Sequence, residues 1–279
     1  MMIKLFRFAL CFLPLFALAL KPALAEGTFH LGVAPHTSAR VIVEMYQPLR
    51  LYLEKALAMP VVIVTAPDFT EFARRALAQD YDLAITTSHQ ARLLEMDAQY
   101  SPLLTYQADF RAVALVADSS SIKTPKDLRG TKVFGLSQTS LVTLWGQHWL
   151  KSNGLEKHVS LDYVSASDSV ARLLLAGEAS AGFTSLANYQ QLAPALQSQV
   201  RFLAISEPMA GRVYVLNKRM SAAHDKIDAA LWAFANAPEG KHYFEKFKLG
   251  GYRKLKAKEL EAMEPYAAEV RQLLKATGK

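Results

Sequence analysis

Short apolar runs alternate with segments of helical periodicity along most of this chain. Residues 29–33 form the first apolar run, and residues 41–57 carry apolar side chains at helical spacing until Pro60 ends the segment. Residues 61–64 are continuously apolar, which is typical of a strand buried in a parallel sheet. The pattern therefore predicts a strand, a helix and a second strand, in that order.

The same alternation continues and predicts two successive α/β sets. A polar cluster at residues 118–121 separates the sets and has the composition of a linker. Further strands are expected at residues 82–85, 110–116, 132–136, 160–164, 181–184, 202–205 and 212–217. Further helices are expected at residues 69–78, 139–153, 168–176, 225–235, 239–247 and 260–277, with others opening at 86–89 and 186. We therefore expect an α/β fold in which each set forms an open, mostly parallel sheet flanked by helices.

The chain begins with the three parts of a secretory signal peptide. Lys4 and Arg7 give the positive start, residues 8–20 are apolar, and Ala23 and Ala25 supply the small residues of a cleavage site. The apolar run is shorter than the about 20 residues that a membrane span needs. We therefore expect export to the periplasm with cleavage after Ala25. A retained signal anchor is the alternative.

Charge and cysteine content exclude several classes of protein. The formal charge of +7 falls to +4 when Lys4, Arg7 and Lys21 leave with the signal peptide, and so mild a bias is no signature of nucleic-acid binding. The single cysteine, Cys11, lies inside the apolar run, so the mature chain has neither disulfides nor a cysteine metal site. Seven Lys or Arg residues between 241 and 258 form either a solvated face or a surface for docking to a membrane partner or anionic surface.

The densest candidate chemistry lies where the strand at residues 132–136 meets the next helix. Ser137, Thr139 and Ser140 place three hydroxyl groups there, with no acidic side chain among them. The first N–H groups of a helix have no intrahelical partner and lie at the positive end of the helix dipole, so this turn can hold a small oxyanion. Ordinary capping of the helix by Ser or Thr is the alternative.

Other candidate turns follow the predicted strands at their carboxyl ends, where open α/β sheets bind ligands. These turns are at residues 35–38, 86–89, 165–169 and 184–185. His36 and His89 lie in two of them, as ligand contacts or as ordinary surface residues. Arg111 and Arg172 either complement an anion or face solvent and form salt bridges.

Several segments, in order over most of the mature chain, carry a family resemblance. They are residues 32–35 (Gly-Val-Ala-Pro) with the helix segment 46–54, residues 62–69, 81–85 (Tyr-Asp-Leu-Ala-Ile), 122–133 and 176–178 (Ala-Gly-Glu). The chain resembles the periplasmic solute-binding proteins of the phosphate/phosphonate-type ABC transporters. The resemblance implies a two-lobed periplasmic binding protein fold, type II-like. The expected parts are a signal peptide at 1–25, the first part of lobe 1 at 26–112, lobe 2 at 113–204, and a return segment with C-terminal helices completing lobe 1 at 205–279.

The resemblance also implies site residues. Members of the family carry Ser-Thr-Ser-Gly, the principal contact to the phosphonate oxygens, where this chain has residues 138–141. Thr139 and Ser140 match this turn, whereas Gln138 and Leu141 depart from it. With the other candidate turns, the expected ligand-binding residues are His36, Thr86, Thr87, Ser88, Ser137, Gln138, Thr139, Ser140 and Ser167.

Two further departures concern ligand specificity. Ser167 stands where phosphonate binders often place a histidine, and Ser180 stands where they commonly have an aspartate. A hydroxyl cannot neutralise an ammonium group, and an unpaired buried charge is costly. The resemblance therefore supports the half of the site that binds an anion more than the half that would recognise a ligand amine.

The implied function is capture of a small oxyanion (phosphonate, phosphite or phosphate-like) in a cleft between the lobes and its delivery to the membrane permease of an ABC transporter. A ligand-sensing module coupled to a membrane receptor or kinase is the alternative. The histidines show no metal-ligand spacing, and no nucleophile is paired with a base, so we expect no metal, no cofactor and no enzymatic activity. We expect a monomer that does not bind nucleic acid.

Overall fold

The computed structural model describes residues 27–164 and 169–277, so the expected signal peptide and Ser167 lie outside the described residues. The strands are β1 (Phe29–Val33), β2 (Val61–Val64), β3 (Leu83–Thr87), β4 (Tyr100–Tyr106), β5 (Ala112–Ala117), β6 (Lys132–Gly135), β7 (Ser160–Tyr163), β8 (Ala181–Ser185), β9 (Val200–Ile205), β10 (Arg212–Asn217) and β11 (Tyr252–Arg253). The helices are α1 (Ala39–Leu57), α2 (Phe69–Leu77), α3 (Ser88–Ala98), α4 (Leu141–Ser152), α5 (Ser169–Leu175), α6 (Leu186–Gln190), α7 (Pro194–Gln197), α8 (His224–Asn236), α9 (Pro238–Lys246) and α10 (Glu264–Thr277).

These strands form two mixed sheets, and the predicted α/β class is confirmed. One sheet has the strand order β11-β4-β10-β3-β1-β2 and the other β7-β6-β8-β5-β9. Strand β1 pairs in parallel with β2 and β3, and β6 pairs in parallel with β7 and β8. The crossing strands β10 and β5 run antiparallel to both of their neighbours. We call the first sheet with its helices lobe 1 and the second lobe 2.

Two extended crossings join the lobes, one between β4 and β5 and one between β9 and β10. The crossings are tied to each other by backbone pairing of Phe110 with Met209, and the Arg111 guanidinium donates to the carbonyl of Ser206 at 3.1 Å. The division of the strands between two sheets supports the lobe boundaries expected from the sequence, which remain a proposal.

Strand β4 is the main element that the sequence pattern does not predict. Ser101 and Pro102 interrupt its apolar run, and proline removes a donor from a strand ladder. The structure accommodates this because the pairing of β4 with β10 shifts register between Tyr214 and Val215, where Val215 lies opposite Pro102. Pairing with a partner distant in sequence therefore overrides the local signal.

The last helix, α10, contacts both lobes. Its Ala267 and Val270 form one buried cluster with Leu93 of α3 and Leu144 of α4. Helix α3 belongs to lobe 1 and α4 to lobe 2, so α10 bridges the lobes in addition to packing on lobe 1.

Candidate ligand site

The carboxyl ends of four parallel strands carry polar residues in both lobes. His36 follows β1, and Thr87 ends β3, the neighbour of β1. Ser137 follows β6, and Thr184 lies near the end of β8, the neighbour of β6. Because the carboxyl ends of parallel neighbours lie at the same edge of a sheet, each lobe presents a pair of polar side chains where such sheets bind ligands.

Buried polar atoms without a hydrogen-bond partner are concentrated at these strand ends. Among the described residues, six of the seven such side-chain atoms lie there: His36 Nε2, Thr87 Oγ1, Ser88 Oγ, His89 Nδ1, Ser137 Oγ and Thr184 Oγ1. The seventh is Tyr81 Oη. Native proteins pair nearly all buried polar groups, and each one left unpaired costs about 1–3 kcal/mol. The concentration of such atoms at the strand ends of both lobes makes these two edges the candidate site for a polar ligand.

His36 is held in one tautomer by the backbone. Its ring Nδ1–H donates to the carbonyl oxygen of Ala34 at 2.8 Å, and its own backbone N–H donates to the same oxygen at 2.8 Å. Its ring meets Tyr46 edge-on at 6.0 Å between centroids. Burial, and then the positive charge of Arg212, hold the pKa of His36 well below its ordinary value, so the ring is neutral.

Some polar side chains of the β3–α3 turn form hydrogen bonds within the protein, and others have no partner among the described residues. The Thr86 hydroxyl donates to Gln90 Oε1 at 2.9 Å, and the Gln90 amide donates to the carbonyl of Phe69 at 3.1 Å. Thr87 and Ser88 are buried, and neither hydroxyl has a partner among the described residues. Thr86 therefore has a structural role in the observed contacts, whereas Thr87 and Ser88 remain available to a ligand.

The turn before α4 also serves partly to cap that helix. Ser140 is the N-cap residue, and its hydroxyl accepts the Thr143 N–H and donates to Thr143 Oγ1 at 2.8 Å. Ser137, by contrast, has a buried hydroxyl with no partner among the described residues. Gln138 is exposed. The capping alternative is thus realised by Ser140, and Ser137 is the residue of this turn whose hydroxyl is free.

Thr139 forms a direct contact between the lobes. Its hydroxyl lies 3.1 Å from that of Thr70 in α2, and its carbonyl accepts a hydrogen bond from His89 Nε2 in α3 at 2.9 Å. Burial lowers the pKa of His89 to about 4, so this histidine is a neutral donor. Both edges with free polar atoms are therefore brought to the same interlobe contact.

Arg212 is the residue that sequence reasoning missed. It lies directly opposite Thr87 in the β10–β3 ladder, so the two side chains share one face of the sheet. Its guanidinium lies 5.3 Å from the centre of the Tyr106 ring and forms no ion pair within residues 27–164 and 169–277. A partly buried guanidinium without a carboxylate is suited to pair with a bound anion. An arginine at the start of an apolar crossing strand was the available sequence signal.

A cluster of buried tyrosines surrounds the Tyr106 ring that the Arg212 guanidinium contacts. The hydroxyl of Tyr106 lies 2.8 Å from that of Tyr214 and 2.6 Å from that of Tyr243, and the Tyr252 hydroxyl donates to Tyr214 at 2.8 Å. All four side chains are buried, and burial raises the pKa of each. These neutral, mutually bonded hydroxyls fix the ring on which Arg212 rests.

The remaining candidates lie elsewhere. Arg111 ties the two crossings, and Arg172 is exposed on α5. Ser180 pairs through its backbone with Lys132, the first residue of β6, so it lies at the amino end of β8. Four residues of extended strand put it about 13 Å from Thr184. Ser180 therefore lies away from the strand ends that form the candidate site, and its correspondence to a family aspartate stays a prediction.

Neither a metal cluster nor a membrane span is found in the described part of the chain. No group of three or more His, Cys, Asp or Glu side chains in residues 27–164 and 169–277 is arranged to hold a metal ion. None of the helices described there has both the length and the apolar character needed to cross a bilayer.

Comparison with known families identifies the class of protein. Residues 31–260 match the family model of the phosphonate ABC transporter periplasmic substrate-binding protein. The chain therefore belongs to this family, whose members bind substrates in the periplasm. No curated protein matches the chain in sequence.

Solved structures show the same fold at low sequence identity. PhnD1 from Prochlorococcus marinus in complex with methylphosphonate superimposes with a TM-score of 0.78 at 14% identity, covering 88% of this chain and 98% of that one. XAC2383 from Xanthomonas citri, bound to ATP, gives a TM-score of 0.75 at 20% identity, covering 88% and 98%. A binding protein component of a Pseudomonas aeruginosa ABC phosphonate transporter gives 0.70 at 12% identity, covering 91% and 100%. These structures are two-lobed periplasmic binding proteins, and the likeness is one of fold.

Proposed function

We propose that this protein captures a small oxyanion, phosphonate, phosphite or phosphate-like, between its lobes and delivers it to the membrane permease of an ABC transporter. The observation that carries the proposal is the group of buried, unpartnered polar atoms at the strand ends of both lobes. Family membership and the methylphosphonate bound to PhnD1 support the choice of ligand class.

The chemistry of the free groups favours an anion. Hydroxyl groups of Thr87, Ser137 and Thr184 can each donate to a ligand oxygen, and Arg212 supplies positive charge. The one buried acidic side chain in the described part of the chain is Asp82, which precedes β3 and pairs with Arg219 at 2.7 Å. An anion would therefore meet hydroxyl donors and a cation, and no buried carboxylate of the described residues would oppose it, while His36 Nε2 and His89 Nδ1 are the two acceptors among the free atoms.

The contacts between the lobes favour a small ligand and binding without turnover. Direct contact of Thr139 with Thr70 and His89 leaves little separation between the lobes beside the free groups. The proposal includes export with cleavage after Ala25, a monomeric protein and no catalysis. Membership of a family of substrate-binding proteins supports the last point.

Family membership supports delivery to a permease, and sensing through a membrane receptor would use the same capture step. Part of the basic segment 241–258 is engaged within lobe 1, where Arg253 pairs with Glu259 at 2.6 Å and Lys254 pairs with Asp228 at 2.9 Å. Uptake of the bound oxyanion by vesicles carrying the permease, dependent on this protein, would support transport. Binding without uptake would favour the sensing alternative.

Calorimetry tests the capture step directly. The exported protein is titrated with phosphate, phosphite, methylphosphonate, 2-aminoethylphosphonate and sulfate. At least one phosphorus oxyanion should bind, and Arg212→Gln should weaken that binding by about tenfold or more, because hydrogen bonds to charged groups contribute about 1.5–3 kcal/mol each. Arg129→Gln, an exposed arginine before the amino end of β6, is the matched control and should bind normally. Failure of every oxyanion to bind would overturn the proposal.

A further inference from the structure

One buried nitrogen of the site, His36 Nε2, lacks the hydrogen-bond donor that it needs. A carbonyl oxygen can only accept, so the contact of His36 Nδ1 with the Ala34 carbonyl places the ring proton on Nδ1. In the neutral ring, Nε2 then carries a lone pair and no hydrogen. This nitrogen is buried and has no partner among the described residues. It can be satisfied only by an O–H or N–H group from outside the described contacts.

The Arg212 guanidinium, whose charge acts on His36, is suited to a negatively charged partner. Arg212 is the charged side chain that acts on His36, and it lies opposite Thr87 on the same sheet. The other titratable groups around this place are tyrosines: Tyr46 of α1, whose ring meets His36, and Tyr106 of β4, Tyr214 of β10 and Tyr243 of α9, which act on Arg212. None of these groups offers a carboxylate to Arg212 or a donor to Nε2 in the observed contacts.

We propose that the site selects an oxyanion that still carries a proton, with its P–OH donating to His36 Nε2 and its charged oxygens facing Arg212. The monoanions of phosphonates and phosphite, and hydrogen phosphates, meet both requirements. Sulfate and sulfonates are fully ionised at neutral pH and carry no such proton. This inference rests on the proposed function and names the substrate class that the same site takes.

The physical reason is that a buried group left without its hydrogen bond costs more free energy than a made hydrogen bond contributes. An ionised oxygen opposite Nε2 would leave the lone pair unsatisfied and would place two acceptors against each other. We therefore expect discrimination of about tenfold or more in Kd against an oxyanion of the same shape that lacks the proton.

Methylphosphonate and methanesulfonate form the test pair, because both are monoanions of similar shape below the second pKa of methylphosphonate and differ by one proton. Calorimetry there should show methylphosphonate preferred by tenfold or more. Raising the pH above that second pKa should weaken methylphosphonate binding and leave methanesulfonate binding unchanged, since Arg212 stays charged and His36 stays neutral. This arm needs no variant.

Two variants assign the preference to His36. His36→Phe keeps a ring against Tyr46 but has no acceptor, so it should remove the preference, mainly by weakening methylphosphonate. Arg212→Gln should weaken the binding of both ligands and leave the ratio of their Kd values unchanged. Equal affinity of the unmodified protein for both ligands, or an unchanged ratio in folded His36→Phe, would overturn this inference and leave the proposed function standing. Absence of binding by any phosphorus oxyanion would overturn both.

Discussion

Single hydroxyl groups near the cleft fall into two classes that should respond differently to removal. Thr143 Oγ1 accepts the backbone N–H of Leu136 at 2.8 Å and the hydroxyl of Ser140 at 2.8 Å. Thr184 Oγ1 is equally buried and has no partner among the described residues. The Thr143 hydroxyl therefore stabilises the folded state, whereas the unpaired Thr184 hydroxyl lowers the stability of the ligand-free protein.

Thr184→Val should therefore separate binding from stability. The change keeps the side-chain shape and removes a hydroxyl that bonds nothing described in the protein, so the free energy of unfolding should be unchanged or slightly higher. Affinity for the oxyanion should fall by about tenfold or more if that hydroxyl donates to the charged ligand. Thr143→Val is the matched control and should lower the free energy of unfolding by about 1–3 kcal/mol, because it leaves the Leu136 N–H unpaired. Denaturant titration and calorimetry measure both, and a loss of stability in Thr184→Val without loss of affinity would contradict the assignment.

The charges of the site predict poor binding of amino-substituted phosphonates. Asp82 is the one buried acid in the described part of the chain and is already paired with Arg219, so an ammonium group in the cleft would have no buried carboxylate there. We expect 2-aminoethylphosphonate to bind at least about tenfold more weakly than propylphosphonate, which matches its size without the charge. Competition calorimetry with the two ligands checks this. Tighter binding of the amino compound would show that a carboxylate outside the described contacts reaches the ligand.

For single residues, the sequence predicts which side chains lie at strand ends better than it predicts which partners they contact. His36, Thr87, Ser88 and Ser137 were expected at the site, because strand–turn–helix patterns place residues at strand ends. Whether a hydroxyl is free depends on a partner elsewhere in the chain, which a pattern does not contain. Arg212 was missed for the same reason, because its pairing with Thr87 joins strands 125 positions apart in the chain.

Among the secondary-structure elements, the start of α4 shows a helix cap next to a free hydroxyl. Ser140 caps the helix, and Ser137 lies three residues earlier with no partner among the described residues. Ser140→Ala should lower the free energy of unfolding by about 1 kcal/mol, the usual contribution of such a cap. Ser137→Ala should leave stability unchanged and weaken oxyanion binding. Chemical denaturation and calorimetry of the two variants test the pair, and the reverse assignment of the two effects would contradict it.

The start of α3 should make the protein acid-sensitive. Burial gives His89 a folded pKa of about 4 against 6.5 unfolded, so between these values the unfolded chain takes up a proton that the folded chain does not. His89 therefore does not lower the free energy of unfolding above pH 6.5. As the pH falls from 6.5 towards about 4, the free energy of unfolding decreases by up to about 3 kcal/mol. His89→Gln, which keeps an amide donor for the Thr139 carbonyl, should reduce this loss. Urea denaturation at several pH values measures it, and identical pH profiles for the two proteins would contradict the assignment.

At the level of elements, the sequence predicts alternation well and pairing poorly. The order of strands and helices follows from periodicity, which is local. The antiparallel insertion of β10 between β3 and β4 joins segments that are far apart in the chain, and so does the register shift that accommodates Pro102. Mostly parallel sheets were therefore expected, and mixed sheets are found.

For the whole molecule, the lobes contact each other through a few polar groups and through the apolar cluster at α10, which indicates a closed arrangement. Thr139 contacts Thr70 and His89, and Glu269 of α10 bonds His148 of α4. These polar contacts can be replaced by water when the lobes separate, whereas the apolar cluster of Leu93, Leu144, Ala267 and Val270 joins the lobes at α10. Two extended crossings offer the hinge for such a movement. A bound oxyanion between the free groups of both lobes would add contacts only in the closed state and would therefore favour it.

The ligand-free protein in solution should accordingly be more open than the bound protein. Small-angle scattering should give a smaller radius of gyration after saturation with methylphosphonate, or with whichever oxyanion calorimetry shows to bind. A disulfide between the lobes provides the control, because Thr70 and Thr139 have hydroxyls 3.1 Å apart and the mature chain is expected to have no competing cysteine. Oxidised T70C/T139C should scatter like the bound protein without ligand, and reduction should restore the larger radius. Identical profiles for the free, bound and cross-linked protein, with binding confirmed by calorimetry, would show that the lobes form one rigid unit and that the ligand enters without closure.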